Sequence, residues 1–539
     1  MKVDIVNLSV SLDDEHEEVV NEMTEKYGII VTKAAGNCGP VYSSLYETDV
    51  KIKNIFIIGS VYTIKDDFKK DDAIIPVYSS RGPGINGSRG ISFVAPGDAI
   101  TAVPRYSSIK HEILYGTSFS APNAAGAIAC LLSALKDNDI KYSVSSIKTA
   151  LEKTAFLPKN GDVLGFGHGI IQIYDAFKFL KKFNLAIVQN YSNRKRKLKI
   201  ISDKSIKNGI FVKLNNENDA IKDGYEIKLL NDTEFGSCSP PKRIKLQSTT
   251  KSKNANFVLH SKITKNYSFK IAIQKHKLKF GALNYTEIHG ILFSKIPYFQ
   301  QLFHLPITVI SPSNVTKEEG YCIKENQLKL SPNIPYRFFI LPPKEICQCI
   351  VTVAVETRAS LYLQYSIENI SVSSTTGKWL EFNETTKVLT FDIKIYGNKI
   401  HEIAIFPDID EPINCDIEIQ FYGIEVIKNS LENKKVVDQN VITFKNNLQN
   451  LHATLIMEFE NISFKLSPIQ FNFENNKSQY DICENECLKL TYNFTLPKKS
   501  KCLFKMNLEK IFKMFRVQVF TESKKYVYGY VTDLKEPVS

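Results

Sequence analysis

From Asp4 to about Lys182, short apolar runs alternate with segments whose apolar residues recur at helical spacing. That alternation predicts an α/β unit, a parallel sheet with covering helices. Ile5 to Val10, Gly28 to Ala35 and Asn54 to Tyr62 predict strands, and Glu15 to Tyr27 predicts a helix. Ser118 to Lys136 predicts a long, mostly apolar helix. Val144 to Thr154 and Tyr174 to Phe183 predict two surface helices flanking the Gly165-Phe-Gly-His-Gly169 loop, where the unit closes.

Beyond Lys182 the helical period fades. Short β-branched and aromatic segments such as Ile210 to Leu214 and Tyr336 to Leu341 recur between Asn, Ser, Lys and Pro clusters. This pattern predicts all-β, sandwich-like domains. A polar stretch from about Ile427 to Asn440 separates the last region, so three domains are expected, 1–182, 183–427 and 428–539, the last a second β-rich domain or the start of one, with no internal repeat. A length of 539 residues suits that count.

The formal charge of +12 raises the question of nucleic acid. The densest basic run, Arg194, Lys195, Arg196, Lys197 and Lys199, follows a predicted helix without interleaved aromatics, which predicts a solvated linker and no nucleic-acid partner. Ten cysteines run from Cys38 to Cys502; the close pairs, Cys347 with Cys349 and Cys483 with Cys487, lack zinc-type His spacing, and reduced thiols are expected. The N-terminus lacks a signal-peptide pattern, and no run reaches the ~20 apolar residues of a membrane helix. A cytoplasmic protein without membrane contact is expected, although sequons such as Asn314-Val-Thr also suit secretion.

Gly116-Thr117-Ser118-Phe119-Ser120-Ala121-Pro122 stands at the start of the long apolar helix. A Ser there lies at the positive end of the helix dipole, beside unpaired N–H groups suited to a developing oxyanion. Gly-Thr-Ser alone is ordinarily no more than a cap. The whole string, however, resembles the nucleophile motif of the subtilisin family, which implies that Ser118 attacks the scissile carbonyl, with Gly116, Thr117, Ser120 and Pro122 supporting it. Upstream, Val31-Thr-Lys-Ala-Ala-Gly36-Asn37 resembles the family's oxyanion segment, which implies that the Asn37 amide is the oxyanion donor and Gly36 its support. Ser79-Ser-Arg-Gly-Pro83 and Ala95-Pro-Gly97 resemble scaffold loops of the same family, and His168 falls on its closing loop.

Asn138-Asp-Ile-Lys-Tyr142, Ala150-Leu-Glu-Lys-Thr-Ala155, Gly167-His-Gly-Ile-Ile-Gln172, Tyr285-Thr-Glu287, Leu305-Pro-Ile-Thr308 and Phe421-Tyr-Gly423 are similar to the tripeptidyl-peptidase II family. The resemblance implies a cytosolic, homo-oligomeric serine exopeptidase that releases tripeptides from free N-termini, acts on peptide substrates and uses no metal or organic cofactor. Two features depart from it. Subtilases carry Asp and His segments ahead of the Asn and Ser segments, whereas the one upstream His here, His16, opens an acidic helix and is assigned to solvent. We therefore expect a chain truncated ahead of its first catalytic segment, nearly inert by itself, with an exposed sheet edge. In addition, Val10-Ser11-Leu12 replaces the family's Tyr-Gly-Glu, leaving Asp13 or Asp14 to receive the substrate ammonium. The alternative is a non-catalytic paralogue serving as an assembly or binding subunit.

Overall fold

The computed structural model describes residues 3–429 apart from 53, 63–69, 103–110, 160, 184, 186, 189–196, 201–207, 216–223, 231–243, 251–255, 293–299, 333, 368–375 and 408–411. Beyond these it describes 442–446, 470–475, 486–491, 514–520 and 526–533. Two compact units result, residues 1–451 and 452–539.

The first part of the larger unit is the expected parallel sheet. Strands β1 (Ile5–Leu8), β2 (Ile30–Ala34), β3 (Phe56–Val61) and β4 (Phe93–Pro96) lie in the order β1-β2-β3-β4, every pairing parallel. β2 shows why these runs read as almost continuously apolar: both faces are covered. Ile30 and Ala34 join one core and Val31 and Ala35 another. The first core lies under α3 (Thr117–Asp137), α4 (Val144–Thr154) and α6 (Ile173–Lys182). The second contains Val20 of α1 (Asp14–Glu25) and Phe166 of α5 (Val163–Phe166). A short α2 (Glu47–Lys51) and a hairpin, β5 (Asp98–Ala102) with β6 (His111–Tyr115), complete the segment.

α3 is long and apolar enough for a membrane span, contrary to the sequence expectation. Its apolarity has another use, since Ala121, Ala124, Ile128, Leu131, Leu132 and Leu135 are all buried in the core beneath it. Inside β2, Lys33 is almost fully buried and donates to Asp49 of α2 at 3.0 Å. Burial pushes the Asp49 carboxyl up, against the pull of Lys33.

Two β modules follow. In the first, the sheet β10 (Ile244–Ser248), β13 (Ala282–Leu292), β14 (Gln301–Ser311), β8 (Ile210–Lys213) shares one core with the sheet β11 (Val258–His260), β12 (Ser268–Ile273), β9 (Tyr225–Leu230), β7 (Lys197–Ile200). In the second, a five-stranded sheet orders β15 (Ser313–Asn314), β17 (Tyr336–Leu341), β22 (His401–Pro407), β19 (Ala359–Ile367) and β20 (Thr376–Phe382). It shares a core with β16 (Cys322–Leu330), β23 (Ile413–Tyr422), β18 (Gln348–Val355) and β21 (Val388–Lys394). β24 (Ile424–Asn429) pairs with β25 (Ile442–Asn446). The smaller unit contains the antiparallel pairs β26 (Gln470–Asn475) with β27 (Glu486–Thr491) and β28 (Met514–Phe520) with β29 (Tyr526–Asp533).

Of the basic run, Arg194, Lys195 and Arg196 lie outside the described residues, as does most of the polar stretch before Asn440; Lys197 and Lys199 fall in β7. Cys38, Cys130, Cys322, Cys349 and Cys415 are free thiols, and Cys347 Sγ donates to Tyr422 O at 3.8 Å. Cys238, Cys483 and Cys502 lie outside the described residues.

A buried ionic network joins the first β module to the α/β segment. Arg89 donates to Glu287 of β13 through Nε at 2.5 Å and Nη2 at 2.7 Å, and His289 and Tyr285 also hydrogen-bond Glu287. Burial opposes ionisation of Glu287, yet the bonds from His289 and Arg89 hold its carboxyl well below the usual range. Close by, burial followed by the Arg89 charge lowers His304 from 6.5 to about 4, while Glu287 and Glu152 pull the other way and His289 reinforces the lowering. Folded His304 therefore binds fewer protons than unfolded His304 between those values, so its contribution is present above pH 6.5 and lost as pH falls towards 4. Stability is expected to drop by about 3 kcal/mol across that window. His304→Gln should flatten the pH dependence of the unfolding midpoint, measured by thermal melts at several pH values.

Candidate active site

Ser118 is the second residue of α3, half-buried, and its Oγ makes no hydrogen bond among the described residues. The residue before the helix, Gly116, has φ +156°, and a Cβ there would stand 3.3 Å from Asn37 Nδ2. In the first turn the Phe119 and Ser120 N–H groups reach Gly116 O, and the Thr117 N–H reaches Asn37 Oδ1 at 3.0 Å. The Ser118 N–H is left without an acceptor among the described residues, as expected for a first-turn donor.

Pro122 explains a contact that the sequence reading missed. It lies inside α3 and has no N–H, so the Ser118 carbonyl four residues earlier loses its helical donor. Ser9, just beyond β1, supplies the replacement through Oγ at 2.8 Å. The signal was present in the sequence: a proline five residues into a helix requires an outside donor for that carbonyl.

Asn37 follows β2. Its Oδ1 accepts from both the Thr117 N–H and Thr117 Oγ1, each at 3.0 Å, while the Gly36 N–H donates to Thr117 Oγ1 at 3.1 Å. With Oδ1 committed as acceptor, the exposed amide must present its NH₂ as donor, and nothing among the described residues accepts from it. Gly36 has φ +99°, and a Cβ there would lie 3.0 Å from Ser80 Oγ. The sequence reading placed Thr117 only as motif support; the structure makes it the bridge between the two chemical residues.

The loops read as scaffold close around this pair. Ser80 donates its N–H to Gly36 O and accepts the Cys38 N–H at Oγ; Ser79 Oγ accepts the Ser60 N–H. Gly97 accepts the Gly116 N–H, and a Cβ on it would stand 2.0 Å from Ser60 Oγ and 2.6 Å from Ser120 Oγ. Burial pushes the Tyr78 hydroxyl, bonded to Ser60 Oγ at 2.8 Å, up to about 12.

The other expected site residues lie elsewhere. Asp13 precedes α1 and pairs with exposed His16, whose hydrogen bond lowers its carboxyl. Asp14 accepts from Thr48 at 3.3 Å and lies 3.7 Å from Lys51. No hydrogen bond or ion pair links either aspartate to Ser118 or Asn37. His168 packs against Phe93 and His304, 3.5 Å from Arg89. None of the histidines among the described residues hydrogen-bonds Ser118.

This arrangement, a hydroxyl at a helix start beside a fixed amide donor on a parallel sheet, suits attack on a carbonyl with oxyanion stabilisation. Residues 1–169 match the family model described as the Subtilase family. The chain is also similar to proteins named tripeptidyl-peptidase 2. It is 27% identical to the Caenorhabditis elegans protein of that name over 466 residues, 79% of this chain and 32% of the relative, and 26% identical to that of Arabidopsis thaliana over 451 residues, 77% and 31%. The crystal structure of tripeptidyl peptidase 2 shares the fold, with a TM-score of 0.61 at 20% identity over 79% of this chain and 35% of that one. The chain thus spans about a third of the length of these curated relatives.

Proposed function

We propose that this chain supplies the nucleophile and oxyanion donors of a serine peptidase that releases tripeptides from free N-termini, with Ser118 attacking the scissile carbonyl. Asn37 Nδ2 and the Ser118 N–H would bind the resulting oxyanion. One observation carries the reading: Thr117 occupies Asn37 Oδ1 twice, which turns the amide donor outward at the start of the Ser118 helix. The triad Asp and His would come from outside the described residues, and Asp13 and Asp14 are the exposed carboxylates offered to a substrate ammonium. We further propose peptide substrates, a cytoplasmic homo-oligomer and sandwich-like domains at 183–427 and 428–539.

A second reading, a non-catalytic relative acting as an assembly or binding subunit, is favoured by the lack of any imidazole on Ser118 among the described residues. Hydrolysis of tripeptide anilides by the protein from its natural source separates the two. The peptidase reading expects cleavage of the free-amine substrate and a fall of about 100-fold or more in kcat/KM on N-acetylation, which removes a charge-assisted contact. Cleavage of neither substrate would favour the subunit reading, and equal cleavage of both would rule out recognition of the free N-terminus.

A further inference from the structure

The loop carrying Asn37 runs from Gly36 to Ser44, and most of its backbone N–H groups have partners. The N–H groups of Gly36, Cys38, Gly39, Ser43 and Ser44 bond to Thr117 Oγ1, Ser80 Oγ, Tyr78 O, Gly82 O and Arg81 O, all within the α/β segment. Tyr42 departs from this pattern. Its N–H donates to both carboxylate oxygens of Glu402, at 3.2 and 3.0 Å, from β22 of the second β module.

Arg337 of β17 completes the contact. Its Nη2 donates to Pro40 O at 2.9 Å, its Nε donates to Glu402 Oε1 at 3.1 Å, and its guanidinium lies 4.3 Å from the centre of the Tyr42 ring. Tyr42 also stacks on Phe339 and donates its hydroxyl to Asp162 at 3.1 Å. Glu402 is 5% exposed and Arg337 12%, so neither charge is solvated and each depends on the other and on this loop. Two charged groups from one module therefore terminate on residues 40 and 42, within five residues of Asn37.

We propose that Arg337 and Glu402 are positioning residues for the oxyanion loop, through which the second β module sets the placement of Asn37. This rests on the reading of Asn37 as oxyanion donor. The pair touches no substrate; it fixes the Pro40 carbonyl and the Tyr42 N–H, and the short connection transmits that placement to Asn37. Shifts of about 1 Å at a reacting group are enough to cost ~100-fold in turnover.

The test is hydrogen exchange of the full chain, read on peptides covering 36–44, β2 and α3. Arg337→Met/Glu402→Leu replaces the buried pair by apolar side chains of similar size, an exchange that often preserves folding; Glu402→Gln keeps one acceptor for the Tyr42 N–H. We expect exchange across 36–44 to accelerate by about tenfold or more in the double variant, with β2 and α3 unchanged and with partial recovery in Glu402→Gln. Unchanged exchange across 36–44 would overturn the proposal, as would uniform acceleration across all three regions.

Turnover supplies the functional arm. The double variant is expected to lose about 10- to 100-fold in kcat at nearly constant KM, with little further loss when Asn37→Ala is added. Multiplicative losses would overturn the proposal. If the unsubstituted protein cleaves no peptide, the peptidase reading fails while the exchange result still decides whether the strap exists.

Discussion

Ser118→Ala is expected to lower kcat by about 10⁶-fold in the protein from its natural source, the scale associated with loss of the serine in subtilisin. The substitution should leave folding intact, because Ser118 Oγ makes no hydrogen bond among the described residues and the contact from Ser9 is to the backbone carbonyl. An unchanged melting temperature with turnover lost would therefore locate the effect in the chemistry. The size of the loss also reports on the base. Where an imidazole accepts the Ser118 proton, the hydroxyl carries most of the rate. Where none does, turnover is already near the residual level sustained by oxyanion donors and binding, about 10³- to 10⁴-fold over water, and the substitution changes little.

Asn37→Ala is expected to cost about 10²- to 10³-fold in kcat with KM nearly unchanged, since the amide meets its acceptor only when the carbonyl oxygen becomes an oxyanion. The typical figure again comes from the corresponding donor in subtilisin. Here the structure adds a complication that the kinetics must separate. Asn37 Oδ1 accepts twice from buried Thr117, so the Ala variant also leaves those donors unpaired, at about 1–3 kcal/mol of stability. Asn37→Asp separates the two effects: its carboxylate still accepts from Thr117 but offers no donor. It should therefore retain the melting temperature while losing at least as much kcat as Asn37→Ala. Recovery of kcat in Asn37→Asp would mean that Asn37 serves packing rather than the oxyanion.

The regular part of the α/β segment was legible because local signals and tertiary burial agree. Val144–Thr154 has the predicted limits, and Ser143 with Ser146 closes a capping box at its start. α3 begins one residue earlier than expected because Gly116, rather than Thr117, makes the turn into it. The strands are shorter than predicted: β2 starts at Ile30 because Gly28, at φ +64°, still belongs to the turn after α1. The placement of Asn37 beside the start of the Ser118 helix was likewise foreshadowed by two motifs in the right order.

Long-range charge pairing was not legible. Lys33 lies within an apolar strand and its partner Asp49 on a separate helix, so sequence spacing says nothing about their contact. Arg89 meets Glu287, and Tyr42 meets Glu402, across hundreds of residues. Tyr285-Thr-Glu287 was noticed only as a resemblance, but its glutamate is the centre of a buried network. Ser9 is an intermediate case, since Pro122 announced the need for a donor without naming it.

The most direct test of the account is to treat the protein from its natural source with a fluorophosphonate and map the modified residue by mass spectrometry. The account predicts a single adduct on the peptide containing Ser118, with activity lost in proportion. An adduct on another residue, or activity that persists while Ser118 is fully modified, would contradict it.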